Sequence, residues 1–255
     1  MTVSQKQQVV DLHKAIETGD PGPIAVINPA KYTQHNLGAA DGLAGFGALL
    51  QQLPKGSARV NTVRVFQDGP FVFAHTDYDF FGPKVGFDIF RFEAGLIVEH
   101  WDNLQVTPAG PNSSGHTMLD GPTAAGDLDA TAANKALATE FVEQVLVQRQ
   151  MDRLPEFFDG NRYIQHNPDI GDGVDGLRAG FAERARRGIA SGFSRLHRVL
   201  GEGDFVLAVS EGSYAGQPAA YYDLFRVERG KLAEHWDTRE AIPPRAEWKN
   251  GNGKF

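Results

Sequence analysis

The chain has no cysteine, which excludes disulfide staples, thiolate nucleophiles and cysteine-held metals at once. Stability must therefore come from packing. With 255 residues, 41% of them hydrophobic, there is enough chain for one large core or for two domains of about 125 residues each. Long apolar runs are also missing, and nothing approaches the ~20 residues needed to span a bilayer. The opening MTVSQKQQVVDLHKAIETGD carries no basic segment leading into an apolar one. A cytoplasmic protein without a membrane partner is the expectation. Basic charge is scarce: 25 Lys and Arg face 32 Asp and Glu, for a net charge of -7. With no basic stripe to neutralise phosphates, nucleic acid is not an expected partner. Gly-rich phosphate cradles and nucleophile elbows are absent. Asn112-Ser113-Ser114 fits a glycosylation acceptor, and without an export signal it reads as a chance match.

What the chain does contain, it contains twice. YTQHN at Tyr32 recurs as YIQHN at Tyr163, a displacement of 131 (163 minus 32), and Asp41-Gly42 recurs at the same displacement as Asp172-Gly173. FVFA at Phe71 matches FVLA at Phe205, displaced by 134 (205 minus 71). FDIFRFEAGLIVEHWD from Phe87 matches YDLFRVERGKLAEHWD from Tyr222, displaced by 135 (222 minus 87). Constant order with a slowly drifting offset is what duplication followed by small loop insertions leaves. The division read from this is a first domain over 1–108, a Gly/Pro/Ser-rich linker or crossover over 109–129, and a second domain over 130–255. The apolar residues of HTMLDGP suggest that the crossover packs on one of the domains.

Within each copy, the periodicity predicts helices over 3–18 and 131–149, the second capped by Asp129 or Thr131, then helices over 42–53 and 174–188 after each Asp-Gly. Extended runs follow, in the first copy over 58–67, 70–81, 84–93 and 96–106. This predicts an α+β fold: two tandem cone-shaped domains, each a curved antiparallel sheet with helices packed on one face. The combination of YIQHNP, a following DG, a DIFR strand and a terminal EHWD strand resembles the SnoaL-like branch of the nuclear transport factor 2-like superfamily, and it does so over both halves. The resemblance implies a cofactor-free pocket, an acid–base enzyme such as a polyketide cyclase, and domains that pair through their sheets. Tandem copies would then pair within the chain, with a homo-oligomer as a further possibility.

Alternation along strands places His100 and Asp102 on one face and Glu99 and Trp101 on the other. It groups Asp88 with Phe90, and Phe71, Phe73, His75 and Asp77 together. If these faces all line the cone, Asp88, His75, His100 and Asp102 converge among phenylalanines. Burial shifts carboxyl groups toward the working pH, and an adjacent imidazole exchanges their protons. The expected catalytic set is Asp102, His75, His100 and Asp88, with Asp237, His235 and Asp223 in the second copy. The expected substrate contacts are His35, Asn36, Phe73, Phe90, His166, Asn167 and Phe225. The resemblance puts the acid–base Asp of the cyclases at Asp102 and Asp237, whereas Asp88 and Asp223 stand where the cyclases carry His. For Gln-His-Asn the bland reading is a polar plug bonding backbone groups, and Trp101 and Trp236 read as packing residues. No close-spaced ligand pair such as His-x-x-x-His occurs, so neither a metal nor a cofactor is expected. His75 aligns with Val209, which favours the first pocket as the active one. The leading function is a cofactor-independent lyase, cyclase or isomerase acting on a small apolar carbonyl compound. A non-catalytic ligand-binding or scaffolding pseudo-dimer is the rival, and an epoxide or ester hydrolase stands third.

Overall fold

The structure is a computed structural model describing residues 3–53, 56 and 58–255. It divides into two compact units, Met1–Thr107 with Pro243–Phe255, and Pro108–Ile242. The segment read as a linker thus lies in the second unit, and the last stretch of chain groups with the first.

The first unit begins with α1 (Gln5–Thr18), started by the Ser4 side chain accepting from the Gln7 N–H and ended by Gly19 at φ 73°. After it come β1 (Thr33–Gln34), α2 (Gly42–Gln52), β2 (Arg59–Asp68), β3 (Phe71–Asp79), β4 (Pro83–Glu93) and β5 (Leu96–Val106), with sheet order β1-β5-β4-β3-β2. The second unit repeats this. It has α3 (Thr131–Glu140), β6 (Ile164–Gln165), α4 (Gly173–Arg186), β7 (Ser191–Glu202), β8 (Phe205–Tyr214), β9 (Gln217–Glu228) and β10 (Lys231–Ala241), in the order β6-β10-β9-β8-β7.

The four long strands of the first copy lie within one or two residues of the predicted runs, and Gly-centred turns close the last hairpin of each copy: Ala94-Gly95 and Arg229-Gly230 both adopt positive φ. Three features differ from the sequence reading. The helix predicted over 131–149 is α-helical only to Glu140 and continues as a π-helical turn, Phe141–Val147. Neither Asp129 nor Thr131 caps it, since Ala130 holds the cap position and the Thr131 hydroxyl donates to the Leu128 carbonyl. The Gln-His-Asn triplets begin on short strands that pair in parallel with the terminal strand, Gln34 beside His100 and Gln165 beside His235.

One sheet face in each unit is covered by helices. Val9, Leu12, Phe46, Val72, Ala74 and Phe90 form the first core, and Phe141, Val142, Leu154, Ala208, Phe225 and Leu232 belong to the second. Full burial of each large apolar side chain stabilises by about 1.5–3 kcal/mol. The second helix of each copy is held against the preceding loop by a glycine: a Cβ at Gly45 would meet the Ala40 oxygen at 2.0 Å, and one at Gly176 the Gly171 oxygen at 2.2 Å. The segment before α3 packs on the second unit. The Asn112 amide donates to the carbonyls of Gln165, Asn167 and Ile170, and Trp236 Nε1 donates to the Asp120 carbonyl at 2.9 Å. Asn112 is buried, which fits the chance reading of its acceptor motif. Among the described residues, no helix is long and apolar enough to cross a membrane.

Candidate active sites

In the first unit, the β4–β5 register sets Asp88 opposite Asp102 and Phe90 opposite His100. All four line a cavity of about 150 Å³ under α1 and α2, walled by Leu12, Phe46, Leu50 and Leu104 among others. Alternation thus brought Asp88, Phe90, His100 and Asp102 together as expected, and Asn36 joins them from the end of β1.

His75 and Phe73 do not belong to this set. The β3–β4 register puts Ala74 opposite Asp88 and His75 opposite Phe87, so the even-numbered residues of β3 face the cavity and His75 faces away. There its ring meets Phe87 edge-on, and its Nδ1 accepts from Arg64 Nη1 at 3.0 Å. Phe73 packs on the same far side against Phe66 and Phe87. His35 and His166 also lie outside the cavities. His35 stacks on Trp101 at 4.7 Å, turns Nε2 to Glu99 at 3.0 Å and gives Nδ1–H to the Gly253 carbonyl at 2.9 Å. His166 repeats this with Trp236, Glu234 and the Thr117 carbonyl. The reason is again alternation: on β1 and β6 the flanking Gln and Asn point inward and the central His outward.

The inward polar groups form a chain with assignable protons. Gln34 Oε1 accepts from the Asn36 backbone N–H at 2.9 Å, so that atom is the amide oxygen. His100 Nδ1 lies 2.9 Å from the same oxygen and must donate to it. The other ring nitrogen, Nε2, faces Asp88 Oδ1 at 3.3 Å. Asp88 Oδ2 accepts from the Tyr78 hydroxyl at 2.9 Å, and that hydroxyl lies 3.3 Å from His13 Nε2. Burial lowers the His13 pKa to about 4, outweighing the opposing attraction of Asp88, with His100 adding to the lowering. His13 is therefore neutral near pH 7. Asp102 accepts from Asn36 Nδ2 at 2.5 Å and has the Lys254 ammonium 3.6 Å away.

The second unit rebuilds half of this. Gln165 Oε1 accepts from the Asn167 N–H and from His235 Nδ1, and His235 Nε2 faces Asp223 Oδ1 at 3.0 Å. Asn167 Nδ2 donates to both oxygens of Asp237, at 2.9 and 2.7 Å. Phe225 stacks on His235, and with Asp223, Asp237 and Asn167 it lines a cavity of about 40 Å³. The tyrosine and the inner histidine are missing. Gly212 stands at the place of Tyr78, and Phe141 touches Phe225 as His13 touches Phe90. Asp223 Oδ2 is buried without a hydrogen-bond partner, and burial raises the Asp223 pKa against the pull of His235.

A His–Asp pair oriented by a glutamine oxygen beneath packed helices thus occurs in both units. Residues 138–235 match the SnoaL-like domain. The first unit repeats the strand order of the unit that holds this match. No curated protein matches the chain. Similar solved structures each cover less than half of it. A candidate ketosteroid isomerase from Kribbella flavida is 18% identical over 45% of this chain and 84% of its own, with a TM-score of 0.35. TsrD from Streptomyces laurentii is 23% identical over 43% and 89%, at 0.35. An LEH-like epoxide hydrolase from M. tuberculosis is 18% identical over 43% and 84%, at 0.34.

Among the described residues, two clusters have metal-ligand types within 4.8 Å of one another, Asp88 with His100 and Asp102, and His116 with Asp120 and His166. The first could hold a cation only by giving up the Asp88–His100 contact. In the second, both ring nitrogens of His166 are engaged, Nδ1 with the Thr117 carbonyl and Asp120 and Nε2 with Glu234, so ligation would cost one of those contacts. Sequence reasoning missed His13 and Tyr78, and in the second unit it missed Arg184 and Arg239, which line the cavity there.

Proposed function

We propose that the first unit is a cofactor-independent acid–base enzyme of the lyase, cyclase or isomerase kind, acting on a small apolar carbonyl compound. The observation that carries this reading is the 3.3 Å contact between His100 Nε2 and Asp88 Oδ1, with Gln34 Oε1 holding the other ring nitrogen from behind. Asp102 lies across the β4–β5 ladder from Asp88, its Oδ2 accepting from Asn36 and its Oδ1 buried without a hydrogen bond, 3.6 Å from the Lys254 ammonium. Asp102 would take a proton from the carbon next to the carbonyl, while the pair delivers its own to the developing enolate oxygen. Return of a proton from Asp102 to carbon, and of the enol proton to the pair, leaves both groups as they began. A cavity of about 150 Å³ walled by leucine and phenylalanine has room for about one aromatic ring.

The test is α-proton exchange in heavy water, followed by NMR across a panel of enolisable ketones and esters. Exchange should occur with at least one compound and be lost in Asp88→Asn and in Asp102→Asn. Exchange that survives both substitutions, or that no compound undergoes, would overturn the assignment.

A further inference from the structure

The two cavities share their His–Asp pairs but differ in the charge of their walls. Carrying the repeat offsets onto the lining residues pairs Leu53 with Arg184 (184 minus 53 is 131) and Leu104 with Arg239 (239 minus 104 is 135). Both leucines line the first cavity, which among the described residues has no lysine or arginine in its wall, and both arginines line the second. At two positions, therefore, the second pocket carries a cation where the first carries a leucine.

Arg184 stands where that pocket opens into a larger groove of about 540 Å³, which shares Leu146, Phe181, Arg184, Phe193 and Tyr221 with it. The groove adds Arg149, Met151 and Ile189 and is lined by no acidic residue among the described residues, in a chain whose net charge is -7. Nε and Nη2 of Arg184 are buried without hydrogen-bond partners, and the nearest carboxylate oxygen, Asp169 Oδ2, is 4.0 Å from Nη2. A guanidinium whose buried N–H groups go unused is costly unless something accepts from them. Its position at the end of α4 would by itself be explained by the helix dipole, but that leaves the unused donors unexplained. The carboxylates deeper in the pocket do not supply the acceptor: both Asp237 oxygens take the Asn167 amide, and Asp223 Oδ1 takes His235.

We propose that the second unit binds an organic carboxylate with an apolar body, its carboxylate held by Arg184 with Arg239 beside it and its body along the Phe181–Phe193 groove. A fork of guanidinium donors matches a carboxylate in geometry and charge. The two units would then handle different compounds, a neutral one in the first and an anionic one in the second.

The experiment titrates the full chain with hexanoate and with hexanamide, which share length and apolar body and differ in charge, by ligand-observed NMR. Hexanoate should bind roughly tenfold or more tightly than hexanamide. Arg184→Gln should remove that preference while leaving hexanamide binding unchanged, which also reports that the variant is folded. Arg184→Lys should restore part of the preference, and Arg239→Gln should weaken hexanoate from an independent position. Equal affinity of the two compounds in the parent, or a preference that survives both glutamine substitutions, overturns the proposal. Since the titration needs no turnover, failure of proton exchange in the first unit leaves it standing, and loss of the hexanoate preference leaves that exchange untouched.

Discussion

His13 makes the first unit sensitive to acid in a way that can be worked out beforehand. It is fully buried on α1, with Nδ1 3.0 Å from the Thr62 hydroxyl, and burial holds its pKa near 4 instead of the ordinary 6.5. Between those values the unfolded chain binds a proton that the folded unit refuses. Stability is therefore fully present above about pH 6.5 and falls as pH drops toward 4. A gap of about 2.5 units at 1.36 kcal/mol each corresponds to roughly 3 kcal/mol lost from the first unit across that window. The second copy supplies the control, since Phe141 occupies the equivalent place. In His13→Phe the baseline will drop at all pH values, because the contacts to Thr62, Thr76 and Tyr78 go. The His13 contribution to the slope should vanish. Amide hydrogen exchange of β3 and β4, converted to opening free energies at several pH values from about 4 to 7, reads this directly. Carboxylates that titrate in the same range do so in parent and variant alike and cancel in the difference. Parallel curves for the two proteins would refute the reasoning.

Two further outcomes follow from the placement of individual side chains. His75→Val, which installs the residue the second copy has at Val209, should leave α-proton exchange unchanged, because His75 faces away from the cavity. It should still cost about 1–3 kcal/mol, since buried Arg64 loses an acceptor, and a large loss of exchange without a loss of stability would show the placement to be wrong. Asp223 behaves oppositely to His13: its raised pKa lets the folded unit keep a proton that the unfolded chain releases, so its contribution is greatest in acid and is lost as pH rises through the folded value. Asp223→Asn should thus gain stability relative to the parent as pH rises above the ordinary carboxylate range, read from β9 and β10 amide exchange. A constant offset between the two would count against the assignment.

The repeat, the element order and the strand limits were legible because turn glycines and duplicated motifs leave local marks. The inward triad Asp88, His100 and Asp102 was legible from alternation along β4 and β5, although the pairing of Asp88 with Asp102 comes from a bulge at Arg91–Phe92 that shifts the register set by the short turn. β3 was misread for a definite physical reason. Val72, Phe73, Ala74, His75 and Thr76 are all fully buried, so apolar residues occur on both faces and the pattern carries no phase. The phase comes from the loop after it, where Asp79 pairs with Pro83 across Phe80–Gly82. Such an odd-length loop sets even residues opposite even ones and turns His75 outward. Arg184 and Arg239 were overlooked because an arginine at a helix end or strand end ordinarily marks solvated surface. Comparing the copies at the same displacement would have singled them out.

Duplication also explains why the functional division lies elsewhere than at His75. The Tyr78 hydroxyl is what satisfies Asp88 Oδ2 in the first unit, and no side chain can take that place in the second. A Cβ on Gly212 would come within 2.1 Å of the Gly192 carbonyl oxygen and 3.0 Å of the Tyr221 ring, a clash that requires backbone movement in β7. The second unit therefore cannot regain the tyrosine relay by one substitution, and Asp223 Oδ2 stays without the donor its counterpart has. A carboxyl group in that condition resists ionisation, which lowers the negative charge that would repel an anionic ligand and lets two arginines stand in a wall that was leucine in the other copy. Loss of the relay and gain of the cations are in this sense one change: the backbone of β7 and β8 closes off the hydroxyl, and the pocket that remains is better suited to holding a carboxylate than to passing a proton along a chain of side chains.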